Sequence, residues 1–409
     1  MAPPGYIPPS YSHSNIPERH VHKNPPPPEE DTNIRAYALF FSYLGLCFFL
    51  SVFIVFKLVR NYIVLSKSTT ARLPAKAHVR TFATLAALSI FTTWYYMFHY
   101  FRVSYLAWAM WRSRYDVSQD TMHWGLWLTE TSLYREFWET IVVGNARYWW
   151  SHQIFFFASG LGLSLEERGT FPARRLKTKA NNVSGIRRGI KYTWAFMLLG
   201  QIISVSFATN LYLLTLLLTP PLPPRSSFAG MYRRQWLGPW LVNLLVVVFT
   251  IWPAYQLADE HYWYHQTEFM PMLLMPHIAL LVMPLLRALI PQKYLSDSNV
   301  DFAGPVYKFL WAANNFGAGL LFTRVTALAY NFSGPRGIWQ QLWEHPAVSS
   351  VAFDVILCWV TWSTWWAFQT RNTSGTPAVG EEEKKGESAA TGSGRAHVVP
   401  ETGSEMRRR

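Results

Sequence analysis

The apolar residues of the chain are gathered into long continuous runs separated by short polar stretches. Eight such runs lie between residues 36 and 368, and all but one reach the length of about 20 residues that a helix needs to cross a bilayer. The run at 148–164 is short, and the run at 307–330 carries several polar residues. The pattern therefore predicts an all-α, polytopic bundle of about seven or eight transmembrane helices. The predicted spans are about 36–59, 79–101, 148–164, 192–218, 236–257, 270–290, 307–330 and 347–368.

The segments outside these runs predict two disordered tails and one helix in the membrane interface. Residues 1–35 include four consecutive prolines, and residues 370–409 are rich in Gly, Ser, Glu and Lys, so neither has a core to bury. The transmembrane domain is therefore 36–369. Within it, segment 124–141 places its aromatic residues on one helical face and most of its charges on the other. An interfacial helix is one interpretation, and a connector packed on the rest of the protein is the alternative.

Composition and charge agree with a membrane protein. Hydrophobic residues make up 50% of the chain and charged residues only 15%, against about 25% in soluble domains. The net charge of +13 lies in loops and tails, where contact with anionic lipid explains it without nucleic acid. Loops 57–80 and 165–191 hold six and eight Lys or Arg, so the positive-inside rule places both in the cytosol. We expect a multi-pass protein of the endoplasmic reticulum.

Asp354 is the acidic residue placed deepest in a predicted span. In the last span it shares a polar stripe with Ser350 and Thr361, among several tryptophans. Ionisable residues at membrane depth are costly and are therefore candidate functional groups. A structural alternative stays open, because Arg324 lies at a similar depth in the preceding span. An ion pair between Asp354 and Arg324 would hold the two helices together.

A second acidic group, Asp259 and Glu260, follows the fifth predicted span, with His261 and His265 close behind. The loop 258–269 contains no Lys or Arg. Carboxyls packed together without a cation keep protons near neutral pH, as a general acid must. An ordinary acidic loop at the interface is the alternative, and two histidines alone are a weak signal for a metal.

Glu139 is a fourth candidate acid, grouped with Glu130 and Glu136 on the segment 124–141, although a solvated helix face also explains the three residues. Several motifs are missing from the chain. It contains no Asp-rich motif for Mg²⁺ and diphosphate, no Gly-x-x-x-x-Gly-Lys loop and no Gly-x-Gly-x-x-Gly turn. The two cysteines, Cys47 and Cys358, both lie in apolar runs, which excludes a disulfide framework or a cysteine metal site. We therefore expect neither a metal nor a cofactor.

Three patches of the sequence resemble those of a known enzyme family. They are WYYMFHYF at 94–101, ETIVVGNARYWWSHQIFFF at 139–157 and FDVILCW at 353–359. These patches resemble fungal membrane-bound terpene cyclases of the type that acts in ascofuranone, ascochlorin and macrophorin pathways. The resemblance covers roughly residues 36–370 and leaves out both tails.

The resemblance implies cyclisation of a farnesylated aromatic, started at its terminal alkene or at a terminal epoxide. Such a reaction needs a protonated carboxyl to start it and aromatic faces to stabilise carbocations. A transporter or sensor of a small lipophilic molecule is the alternative, as is a non-catalytic scaffold. The expected partners are the bilayer and a prenylated aromatic, without nucleic acid, and the oligomeric state stays open. The candidate acids are Glu260, Asp354, Asp259 and Glu139, and the candidate substrate-binding residues are Trp362, Trp365, Trp263 and Asn315.

Overall fold

The computed structural model describes eight parts of the chain, and the regular structure within them is helical without a strand. The predicted all-α class is therefore confirmed for this part of the protein. The predicted tails lie outside the described residues except at their inner ends, where α1 begins at Ile34 and α12 continues to Ser374. The described residues are 33–67, 76–113, 123–170, 190, 192–219, 240–259, 267–289 and 300–374.

Twelve helices occur in the described residues, and most coincide with the apolar runs of the sequence. In chain order they are α1 (Ile34–Lys67), α2 (Lys76–Arg112), α3 (Trp124–Glu130), α4 (Leu133–Val142), α5 (Asn145–Ser151), α6 (Gln153–Thr170), α7 (Thr193–Ile202), α8 (Val205–Leu218), α9 (Trp240–Gln256), α10 (Phe269–Leu289), α11 (Val300–Glu344) and α12 (Pro346–Ser374). Helix α11 is kinked at Gly334, whose φ of 61° is a conformation that glycine adopts without strain.

Two of the described helices are long and apolar enough to cross a membrane. They are α1 and the part of α12 from Pro346 to Gln369. Four shorter apolar helices accompany them, at Thr193–Ile202, Val205–Leu218, Trp240–Gln256 and Phe269–Val282. A count of seven or eight spans is not confirmed by these helices.

Three predicted elements are divided in the structure. The predicted span 148–164 is interrupted at His152, between α5 and α6, and α6 then runs on to Thr170 through residues that we expected in a loop. The single predicted helix 124–141 is two short helices, α3 and α4, separated by two residues. The third division, in the predicted span 192–218, has the largest consequence for the fold.

The chain bends sharply between α7 and α8, at residues 203–204, which we call the α7–α8 break. A Cβ added to Gly200 would lie 3.5 Å from the Cβ of Ala208, whereas residues eight apart in one helix lie about 12 Å apart. Ser204 is extended, with φ −166° and ψ 132°, and its hydroxyl accepts a hydrogen bond from the backbone N–H of Phe207. Serine is favoured at the N-cap, the position just before the first helical residue. The prediction of one continuous span over 192–218 is therefore wrong.

Helix α8 is the most deeply buried element in the described part of the chain. All of its residues except Leu217 are buried, and it packs against α1, α2 and α7. A helix that is apolar on every side belongs in an interior. Polar side chains that contact α8 are therefore shielded from bulk water. The first candidate site lies at the N-terminus of this helix.

The described residues divide into two units, which we treat separately. The first contains all described residues up to Thr361, and the second contains residues 362–374 at the end of α12. The carboxyls discussed below all belong to the first unit.

Candidate functional site

The carboxylate of Asp354 closes the N-terminus of α8. Its Oδ1 accepts hydrogen bonds from the hydroxyl of Ser204 at 2.7 Å and from the backbone N–H of Ser206 at 2.8 Å. Its Oδ2 accepts one from the backbone N–H of Val205 at 2.9 Å. The first N–H groups of a helix have no partner within the helix, and the helix dipole favours an anion there. Asp354 in α12 therefore acts as a capping anion for a different helix.

On the α7 side of the α7–α8 break, a backbone carbonyl group is also hydrogen-bonded by a distant side chain. The hydroxyl of Tyr43 in α1 donates to the carbonyl oxygen of Ile202 at 2.7 Å, at the end of α7. Further along α8, the amide of Asn210 donates to the hydroxyl of Thr361 at 2.9 Å. Helices α1 and α12 thus supply hydrogen-bond partners for backbone groups at the break that would bond to one another in a continuous helix.

The ion pair between Asp354 and Arg324, which we considered from the sequence, is not formed. Arg324 instead donates to Oδ2 of Asp259 at 3.2 Å and to the carbonyl oxygen of Tyr255 at 3.2 Å. Its guanidinium also lies 4.2 Å from the centre of the Tyr255 ring. The expectation that no cation lies beside Asp259 is therefore wrong, because α11 carries Arg324 to the end of α9. Glu260, Trp263, His261 and His265 lie outside the described residues.

The acidic residues of α3 and α4 are bound to neighbouring side chains. Glu139 forms an ion pair with Arg135 at 2.5 Å, one turn away on the same helix. Glu130, whose side chain is 9% exposed, binds Arg112 of α2 at 2.5 Å, while the indole of Trp108 donates to it at 2.8 Å. The interpretation of this acidic face as a solvated one is therefore wrong for Glu130, which holds α3 against α2.

The candidate substrate-binding residues are spread over different environments. Trp362 and Trp365 belong to the second unit of the chain, and Asn315 is exposed on α11. Its neighbour Asn314 is fully buried, and neither polar atom of its amide has a hydrogen-bond partner among the described residues. The structure therefore leaves the proposed role of these side chains as a prediction.

The patch 139–157 joins several helices together. Arg147 binds Glu344 at 2.8 Å, and the indoles of Trp149 and Trp150 donate to α11 at Thr326 Oγ1 and at a carbonyl oxygen. The side-chain oxygen of Gln153 accepts a hydrogen bond from the Trp359 indole at 2.8 Å. These polar contacts hold α5 and α6 against α11 and α12.

A further carboxyl, Glu166, lies at a small cavity among α6, α7, α9 and α10. Its residue is 5% exposed. Sequence reasoning missed it because it follows the predicted span 148–164 and precedes a basic segment. Ser159, Gly162, Leu163 and Glu166 nevertheless recur at the spacing of one helical face, and this signal extends the span. The lining, which we call the Glu166 cavity, is formed by Ser159, Gly162, Leu163, Glu166, Met197, Asn243, Val246, Val247 and Leu280.

The described residues contain no group of three or more His, Cys, Asp or Glu side chains placed to hold a metal ion. Comparison of the chain with protein-family models, with curated proteins and with solved structures gives no match. The function must therefore be argued from the residues themselves.

Proposed function

We propose that the protein is a multi-pass membrane protein of the endoplasmic reticulum. Support comes from the placement of apolar and polar side chains, which is the reverse of that expected in water. On α1, large apolar side chains such as Phe48 and Phe49 are 72% and 65% exposed. Groups such as Asn210 and Asp354 are buried instead. Lipid tolerates apolar exteriors and requires polar groups to find partners inside.

We infer that the activity is the cyclisation of a prenylated aromatic, as the resemblance implies. The single observation that carries this proposal is a carboxyl, Glu166, buried at a cavity inside an assembly with an apolar exterior. The carboxyl O–H bond breaks while a C–H bond forms at the terminal alkene. The next alkene attacks the carbocation, and loss of a C–H proton to a base ends the reaction. The product is then an isomer of the substrate.

The experiment is to express the chain in a yeast host and to feed its membranes farnesylated phenols with a terminal alkene or a terminal epoxide. The expected result is a cyclic product of unchanged mass that membranes of the empty host do not form. Alkaline carbonate extraction of the same membranes should leave the protein in the pellet. Absence of an isomer from every farnesylated phenol would count against the proposed activity.

Transport of a small lipophilic molecule is the second candidate, and the α7–α8 break favours it. Discontinuous helices line the binding sites of many transporters, where their ends face the ligand. Here the ends meet Asp354 and Tyr43, so the break is filled by side chains. Uptake of an unaltered, labelled farnesylated phenol into sealed vesicles, without an isomeric product, would favour transport over cyclisation.

A further inference from the structure

We propose that the Glu166 cavity is a binding site for one water molecule, which connects α6 to α9 through Ser159 and Asn243. The cavity has room for about one water molecule. Water binds inside proteins where the space is large enough and a few polar groups surround it. The water site is independent of the proposed function, because it holds whether the protein cyclises a ligand or transports one.

The hydroxyl of Ser159 provides the first contact. Ser159 is 1% exposed and lines the cavity, and its hydroxyl has no hydrogen-bond partner among the described residues. A serine within a helix can donate to the backbone carbonyl one turn earlier, as Ser89 of α2 does to Leu85. Ser159 does not make this bond, although a buried hydroxyl normally has a partner. Its position at the cavity therefore points to a ligand that exchanges hydrogen bonds with it.

The side chain of Asn243 provides the second contact, from a different helix. Asn243 is buried, lies between Val242 and Leu244 in an apolar stretch of α9, and lines the same cavity. Its amide has two N–H donors and an acceptor oxygen, and water can pair with either kind of group. Burying an amide without a hydrogen bond is costly. One water molecule that bonds to Asn243 and to Ser159 satisfies both side chains and joins the two helices.

The apolar walls of the cavity suit a ligand of this size. A Cβ added to Gly162 would lie 3.1 Å from Cε of Met197 and 3.2 Å from Cδ2 of Leu280, so the walls approach each other closely around this glycine. Water fits between them without moving either side chain. Glu166 lines the space as well, and the two other polar groups already suffice to hold a water molecule.

Radiolytic footprinting of the full chain in detergent tests for this water. A short X-ray pulse converts water into hydroxyl radicals, which oxidise the side chains beside it, and mass spectrometry locates the products. Met197 and Leu280 line the cavity and should be oxidised although they are only 3% and 2% exposed. Leu213 of α8 is 0% exposed and does not line the cavity, so it should stay unmodified. Equal modification of Leu280 and Leu213, or an unmodified Met197, would overturn the inference.

Two serine variants of α6 provide a matched pair. Ser159→Ala should abolish the oxidation of Met197 and should lower the melting temperature, because a hydrogen bond to the water is lost. Ser164 is also buried, and its hydroxyl also has no partner among the residues that the structure describes, but it does not line the cavity. Ser164→Ala should therefore keep the oxidation of Met197 and should not lower the melting temperature. A higher melting temperature of Ser159→Ala would mean that its hydroxyl is unpaired, and no water would then be bound.

Two glycine variants change the space instead of the hydrogen bonds. Gly162→Ala places a methyl group in the cavity, so the oxidation of Met197 should be lost here too. Gly160→Ala is the control, since its Cβ would meet only the ring of Trp311 at an ordinary 3.5 Å. Equal oxidation of Met197 in the two variants would place the water elsewhere.

An alkali cation is the other small ligand that oxygen atoms hold, and the buffer distinguishes it from water. Replacing sodium chloride by choline chloride should leave the oxidation of Met197 and Leu280 unchanged, because choline is too large for the cavity and water needs no cation. A change in oxidation when sodium is removed would show that a cation occupies the site, and would overturn the assignment to water.

Discussion

Two buried carboxyls of the same protein, Asp354 and Glu166, lie at different kinds of place in the fold. Asp354 receives three hydrogen bonds at the N-terminus of α8, with distances of 2.7 to 2.9 Å. Glu166 lies at a cavity whose other walls are largely apolar. Burial alone therefore does not identify a catalytic acid. Asp354 joins two helices through its hydrogen bonds, whereas Glu166 lines a cavity.

The contrast extends to the helices that carry these residues. Asp354 connects α12 to the first turn of α8, so removing it affects the α7–α8 break. Glu166 lies within α6 near its C-terminal end, where α7, α9 and α10 approach. We therefore expect substitutions at Asp354 to lower stability and substitutions at Glu166 to lower activity.

Asp354→Asn is expected to have the largest effect on stability. The amide keeps one acceptor oxygen but turns an NH₂ group toward backbone donors, which loses charged hydrogen bonds and leaves a buried N–H unpaired. Each such loss costs about 1–3 kcal/mol, so a total of roughly 3–5 kcal/mol is expected. The measurement is the amount of fluorescently tagged protein in membranes and its melting temperature in detergent.

Arg324→Gln serves as the control for this variant. Because Arg324 binds Asp259 rather than Asp354, the double variant Asp354→Asn with Arg324→Gln should be no more abundant than Asp354→Asn. Recovery of abundance in the double variant would mean that Asp354 and Arg324 do form an ion pair.

The N-terminus of α12 is capped by a histidine side chain, and this cap predicts that the stability of the fold decreases in acid. Nδ1 of His345 accepts a hydrogen bond from the backbone N–H of Ala347 at 3.2 Å, so the ring must be neutral at that nitrogen. Burial, with the nearby Arg147 and His99, lowers the pKa of His345 to about 4 from 6.5. The unfolded chain then binds the proton more tightly, so stability is constant above pH 6.5 and falls between about 6.5 and about 4.

At pH 5 the expected loss from His345 is about 2 kcal/mol of unfolding free energy relative to pH 7.5. Melting temperatures in detergent at the two pH values measure it. His345→Asn keeps a side chain suited to capping, and should remove part of the difference between the two pH values. An equal acid sensitivity in wild type and His345→Asn would show that another group is responsible.

Gly200→Val tests the close approach that the α7–α8 break requires. The new side chain must fit between Leu161, whose Cδ2 is 3.3 Å from the added Cβ, and Ala208. Overpacking of this kind costs about 1–3 kcal/mol. Gly319→Val on α11 is the matched control, because nothing lies within 4 Å of its added Cβ. Equal melting temperatures for the two variants would contradict the bend between α7 and α8.

The sequence predicted most helices because long continuous apolar runs favour helices over alternating strands. It did not predict the α7–α8 break, because the residues at the break are Ile203 and Ser204 and neither is a glycine or a proline, the usual signals of a helix end. The partner that makes the break stable, Asp354, lies 150 residues further along the chain. Depth in a span identified Asp354 as important, but pairing by depth suggested Arg324. Only the fold shows that the donors come from the backbone of α8.

Glu166 was missed for a related reason. A basic segment begins at Arg168, two residues after it, and loops are inferred from charge, so the end of α6 was placed six residues too early at Ser164. The spacing of Ser159, Gly162, Leu163 and Glu166 carries the correct signal, but α9 and α10 must be present before that face becomes a cavity. Sequence patterns thus identify faces, whereas sites require the packing of several helices.

Asp259→Asn is expected to have the smallest effect, and it sharpens the comparison because its carboxylate is exposed where Asp354 and Glu166 are buried. The Asp259 side chain is 49% exposed and its partner Arg324 is 26% exposed, so water screens the pair. Exposed pairs of this kind contribute about 0–1 kcal/mol. Arg324 also keeps its contacts with the carbonyl oxygen and ring of Tyr255 when Asp259 is neutral. Melting temperature and product formation should both stay close to wild type. A large loss of product with unchanged stability would instead make Asp259 the proton donor, and would remove that role from Glu166.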